Sequence, residues 1–323
     1  MFLKRMLLLI CLFWMSCLPS QSQTVGHESA MNFDVERALF QGEYKTLLAG
    51  EREFIAVIRE GYKPINQGIA ILLGDIGENP LNGNSLARMS PNLNRYGYTT
   101  VSASSPFWDM YGIPKGFGQN QQENTDSQAA AAPAPASDEE QTAVTEQTES
   151  AKTDNTNAPS ESSNPEPEHP RAVGSLLDIA QSDAHKQALS LQVQAILNAT
   201  EEYTGFRLII ARGTTAAVML SLLNEEAIPL PDAFVAVSPF WPEREGSLAL
   251  VEDMAQTSVP VLDVYSQWDN PWSLAFAEHR NIAANKALKL HYRQRELPGQ
   301  RIDHEQFELL SKAIYGWLTS MGW

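Results

Sequence analysis

Six residues, Gly68-Ile69-Ala70-Ile71-Leu72-Leu73, run without a polar side chain and end in the turn-rich stretch Gly74-Asp75-Ile76-Gly77-Glu78-Asn79-Pro80. A strand with one wet face alternates apolar and polar side chains. An unbroken apolar strand is covered on both faces, as in the interior of a parallel sheet. Phe206-Arg207-Leu208-Ile209-Ile210-Ala211, Ala233-Phe234-Val235-Ala236-Val237 and Val259-Pro260-Val261-Leu262-Asp263-Val264-Tyr265 read as further strands, with Glu53–Ile58, Gly97–Ala103 and Ala287–Leu297 completing the set. Helical spacing lies between them. Residues 84–96 form one such stretch, and Ala184, Ala188, Leu191, Ala195 and Ala199 mark another, its face widened by Ile196 and Leu197, which Gly205 can close. A helix opens at Arg212-Gly213-Thr214-Thr215, and Phe307, Leu310, Ile314, Trp317 and Met321 share a face of the last one. Asn32–Leu48 is loosely helical through Phe33, Leu39, Phe40, Leu47 and Leu48, up to Gly50. Strand and helix in alternation select an α/β class, a doubly wound and mostly parallel sheet with helices on both faces.

Two stretches stand outside that pattern. Residues 1–22 carry Lys4 and Arg5, then an apolar run from Met6 to Met15, then Pro19-Ser20-Gln21-Ser22, the order of an export signal cut after Ser22. Ten apolar residues are too few to span a ~30 Å hydrocarbon core, and no later run is long enough, so no transmembrane helix is expected. Residues 119–170 hold 11 acidic residues against Lys152, a net of −10, with Val144 as the only large aliphatic and no aromatic. Such a tract buries too little surface to offset its chain entropy and reads as a disordered acidic insertion. Removing 22 and 52 residues from 323 leaves 249 to fold. That suits one α/β domain in two parts, 23–118 and 171–323.

The formal net charge is −16. The signal contributes +2 and the tract −10, which leaves an ordinary −8 on the folded part. This balance argues against nucleic acid or anionic lipid as the main partner. Cys11 and Cys17 are the only cysteines, and both precede the cut, so the mature chain offers no disulfide, thiolate nucleophile or cysteine metal site. A periplasmic location is expected. A lipid anchor on Cys17, or secretion, is the alternative. His185, His279 and His291 lack ligand-spaced partners, and neither G-x-G-x-x-G nor a P-loop occurs, so no metal and no cofactor is expected.

Three strand ends bear comparison with the α/β-hydrolase plan, which places a nucleophile on a strand-to-helix turn, an acid after a later strand and a histidine after the last. Asp269, in Tyr265-Ser266-Gln267-Trp268-Asp269-Asn270, stands at the acid position. His304, in Arg301-Ile302-Asp303-His304, stands at the histidine position. Laid on G-x-S-x-G, Ala211-Arg212-Gly213-Thr214-Thr215 puts Gly213 where the serine belongs. A turn driven to positive φ accounts for glycine there. Thr214 is the nucleophile candidate if the turn shifts by one residue. Gly74, Asp75 and Ile76 lie where an oxyanion loop would run, although a carboxylate there repels an oxyanion and a loop-building role also suits Asp75. Structural roles stay open elsewhere too: Asp269-Asn270-Pro271 is ordinary turn chemistry, and His304 can pack at the start of the last helix.

The chain resembles an uncharacterised bacterial family of exported α/β-hydrolase-like proteins, known as domain of unknown function 3530. The resemblance is carried by Gly68–Gly74 and its loop, Arg212-Gly213-Thr214, Pro260-Val261-Leu262-Asp263-Val264-Tyr265, Tyr292-Arg293-Gln294 and Gly316-Trp317-Leu318. It implies the fold and no established activity. Two functions are therefore expected to compete. One is binding of a cell-envelope ligand by a fold without its serine. The other is hydrolysis of a small-molecule ester or acyl group by His304 and Asp269 with Thr214 or water, and a purely structural envelope role stays open beside both.

Overall fold

The computed structural model describes residues 22–108, 179–299 and 302–323, with side chains from Glu28 in the first segment and Ser182 in the second. The expected export signal up to residue 21, both cysteines and the acidic residues 119–170 lie outside the described residues. Eight strands form one sheet in the order β1-β2-β4-β3-β5-β6-β7-β8. They are β1 Tyr44–Ala49, β2 Arg52–Arg59, β3 Gly68–Leu73, β4 Tyr98–Ala103, β5 Phe206–Arg212, β6 Ala233–Val237, β7 Val261–Ser266 and β8 Arg293–Leu297. β2 runs antiparallel to both β1 and β4, and every other pairing is parallel. The helices are α1 Ser22–Ala38, α2 Ser90–Tyr96, α3 Ile179–Ala199, α4 Gly213–Asn224, α5 Arg244–Gln256, α6 Pro271–Lys286 and α7 Phe307–Ser320. None is long and apolar enough to cross a membrane.

The apolar run of β3 is explained by two cores. Ile69, Ile71 and Leu73 pack with residues of α3, α4 and α5 on one face. Ala70 and Leu72 pack with α2 and α7 on the other. Gly68 at the start of β3 is obligatory for a steric reason. Its φ is +144°, and a Cβ there would drive into the backbone of Phe206, whose carbonyl carbon would stand 2.7 Å away.

Four expectations need correction. Leu47 and Leu48 belong to strand β1: the helix ends at Ala38, the chain turns at Gly42 (φ +103°), and a two-residue loop opened by Gly50 (φ +65°) makes a hairpin with β2. Residues 84–96 are two pieces, a 3-10 turn Leu86–Met89 and then α2, which starts beside Pro91. Ala287–Tyr292 is turn, with Leu288 and His291 at positive φ, and only Arg293–Leu297 pairs with β7. Finally, α3 ends at Ala199 rather than at Gly205. It buries His185, Leu189, Gln192, Val193, Ile196 and Leu197, while Ala184 is exposed and Ala188, Ala195 and Ala199 are only partly covered. Large aliphatic side chains gain more by burial than alanine does, and they set the face.

Candidate functional site

A cavity of about 360 Å³ opens where the parallel strands end. It is lined by Asp75 after β3, Asn84, Arg212 and Gly213 at the β5–α4 turn, Ser238 and Phe240 after β6, Asp269 and Asn270 after β7, and Ile302 and Asp303 ahead of α7. Open α/β sheets commonly bind ligands at the carboxyl ends of their strands.

The β5–α4 turn has the backbone of a nucleophile elbow. Arg212 is still extended and Gly213 takes φ +61°, after which α4 begins at once. The space beside Gly213 is already filled. A Cβ built there would collide with the carboxyl group of Asp75, and even the farther oxygen, Oδ1, would stand only 2.7 Å away. That oxygen accepts from Thr214 N–H at 3.0 Å, from the Thr214 hydroxyl at 2.5 Å and from Ile76 N–H at 2.9 Å. Burial raises the Asp75 pKa above the ordinary carboxylate value, against the lowering pull of the Thr214 hydroxyl and the backbone N–H groups.

The loop that carries Asp75 is closed on itself. Asp75 N–H donates to Glu78 Oε2 at 2.8 Å, and Glu78 N–H donates back to the Asp75 carbonyl at 2.9 Å. The other Glu78 oxygen meets Arg212 at 3.4 Å. Burial raises the Glu78 pKa, and the Arg212 charge opposes that rise. Arg212 also donates to the carbonyls of Asn84 at 2.7 Å and Ile302 at 2.5 Å, and its guanidinium lies 5.8 Å from the Phe307 ring centre. One side chain at the end of β5 thus ties together the loop after β3 and the segment leading into α7.

Asp269 faces the same cavity but has other partners. Its carboxylate accepts from the Ser238 hydroxyl, from Ser266 N–H at 3.2 Å and from Asn270 N–H at 2.8 Å. Asn270 in turn caps α6, accepting from Trp272 N–H at 2.9 Å, so the turn chemistry expected of Asp269-Asn270-Pro271 is present. Ser238 holds φ +51°, uncommon for a side-chain-bearing residue, and its N–H donates to Val264. Beneath it, Arg280 and Asp263 form a fully buried ion pair at 2.8 Å, and Gln294 and the Tyr292 hydroxyl also donate to Asp263. Arg280 reaches the Ser273 carbonyl at 3.0 Å, in the first turn of α6.

The structure therefore gathers Gly213, Thr214, Asp75 and Ile76 into one hydrogen-bonded cluster and places Asp269 on the wall of the same cavity. Gly74 packs against the Glu78 side chain at the foot of the loop. His304 is not brought in. It is exposed, it is absent from the cavity lining, and no described hydrogen bond joins it to Asp269. Sequence reasoning missed Ser238, whose one signal is its place directly after an unbroken apolar strand. It also missed Arg212, which was read only as part of the elbow. Among the described residues no group of three or more His, Cys, Asp or Glu is arranged to hold a metal ion.

Comparison with known proteins gives a family and a general likeness. Est1E from Butyrivibrio proteoclasticus aligns at 10% identity over 86% of this chain and 98% of its own, with a TM-score of 0.49. An alpha-beta serine hydrolase homologue from Coxiella burnetii aligns at 12% identity over 85% and 97%, TM-score 0.47. A predicted CIB-like hydrolase from Thermoplasma acidophilum aligns at 13% identity over 85% and 96%, TM-score 0.45. No residue role is carried over from likenesses at that level. No curated protein matches the sequence. The profile of one family matches residues 19–320, nearly the whole chain. The chain belongs to the family described as "Protein of unknown function (DUF3530)".

Proposed function

We propose that this is an exported α/β-hydrolase-fold protein that binds a cell-envelope ligand in the cavity at its strand ends and forms no acyl-enzyme. The carrying observation is the Asp75 carboxyl beside Gly213, in the space a nucleophile's side chain would need. His304, exposed and without a bond to Asp269, supports the same reading, because a base must reach the proton it removes. The experiment is intact-mass analysis after incubation with an alkyl fluorophosphonate, which traps activated Ser and Thr hydroxyls. Unchanged mass is expected, and an adduct on Thr214 overturns the proposal. Export is tested separately by sequencing the mature N-terminus, which is expected to follow Ser22.

One contact favours the competing reading of an unconventional ester hydrolase. The Thr214 hydroxyl donates to Asp75 at 2.5 Å, and a carboxylate with raised proton affinity is a competent base for a hydroxyl nucleophile. Under that reading Thr214 carries the adduct, and Thr214→Ala abolishes it.

A further inference from the structure

In acyl-transfer enzymes of this plan, the oxyanion hole is built from the N–H of the residue after the nucleophile and an N–H from the loop after β3. Thr214 and Ile76 occupy those positions here. Both N–H groups are directed at one atom, Asp75 Oδ1, at 3.0 and 2.9 Å, with the Thr214 hydroxyl as a third donor on the same oxygen. A negatively charged oxygen on converging backbone N–H groups is what such a hole binds, and this chain supplies that oxygen itself.

We propose that Asp75 is the internal occupant of the oxyanion hole and the specificity-determining residue of the cavity, closing it to carboxylates and other oxyanions and leaving it to neutral or cationic ligands that bring hydrogen-bond donors. This rests on the binding reading above. The rest of the lining agrees with it. Asp269 and Asp303 add two more carboxylates to the wall. Arg212, the cation among the lining residues, has its guanidinium engaged by Glu78 and the carbonyls of Asn84 and Ile302. An entering anion therefore meets three carboxylates, and the backbone N–H pair of Thr214 and Ile76 is already taken by Asp75. A hydroxyl or ammonium group meets acceptors.

The test is chemical rescue in the full chain, with acetate as the probe. In Asp75→Ala the two N–H groups and the space between them are vacated, and acetate has the size and charge of what was removed. The variant's Tm is expected to rise saturably, by about 3 °C at ten times the half-saturating concentration, with no such rise in chloride of equal ionic strength. Wild type is expected to show no acetate-specific rise. A folded Asp75→Ala protein without an acetate response overturns the proposal, as does a wild type that responds equally. Should the variant not fold alone, the yield of folded protein after refolding in acetate against chloride replaces the melt, and equal yields overturn it. No turnover is measured, so rescue in a protein that also hydrolyses esters would keep the assignment of Asp75 while removing the binding reading.

Discussion

At Gly213 the backbone sits at φ +61° and the Asp75 carboxyl fills the place of a side chain, so two separate costs oppose any substitution. Left-handed backbone costs an L-residue roughly 1–2 kcal/mol, and the clash adds to it. Gly213→Ala is expected to lower stability in urea unfolding by at least that amount. In an Asp75→Gly background the loss should shrink to the backbone part, which a double-mutant cycle reads directly. Additive losses would mean that the carboxyl is not what blocks the elbow. The buried Arg280–Asp263 pair carries a second prediction at this scale. Removing one partner of a buried pair strands the other, so Asp263→Ala should cost about 3–5 kcal/mol by the same measurement. That pair also explains residues that carry the family resemblance. Tyr292, Gln294 and Arg280 all donate to Asp263 beneath the site, and none of the four lines the cavity.

Among the elements, β3 and β6 could be read from sequence because burial on both faces leaves an unbroken apolar run, and β5 and β7 because theirs is interrupted inside only by Arg207 and by the buried Asp263. β1 could not, and β8 could only as part of the longer run Ala287–Leu297. They are the sheet's edges, one face of each is wet, and Arg293, Gln294 and Arg295 carry no apolar signature. The elbow was readable for the same reason as β5, since it follows that strand directly, but its filling was not. Asp75 and Gly213 are 138 positions apart and meet only because β3 and β5 are neighbours in the sheet. The buried face of α3 supplies a prediction of its own. Burial, helped by the Arg52 charge, depresses His185 to about 4, and its ring stacks 5.4 Å from Trp108. The unfolded chain protonates this histidine near 6.5, so it binds more protons than the fold between those values. Stability attributable to the neutral ring is complete above about 6.5 and falls as pH drops toward 4, by ~3 kcal/mol in all. His185→Leu should flatten that part of the stability–pH curve. An unchanged slope would mean that other groups cause it.

On the scale of the whole molecule, the described residues form one sheet whose strands come from both sides of the acidic tract, β1 to β4 before it and β5 to β8 after it. Loop-closure entropy changes by only about 0.6 kcal/mol per doubling of length. Deleting residues 119–170 is therefore expected to leave Tm within a few degrees of wild type, and a large drop would assign that tract a part in the fold. This family member keeps the α/β-hydrolase plan, and under the proposed function its elbow, occupied by Asp75, works in binding and not in acyl transfer. Ester hydrolysis by residues 23–323 across a series of acyl chain lengths, beside His304→Ala and Thr214→Ala, tests it most directly. No turnover above background is expected in any of the three proteins. Turnover in the wild type that disappears in either variant would contradict it.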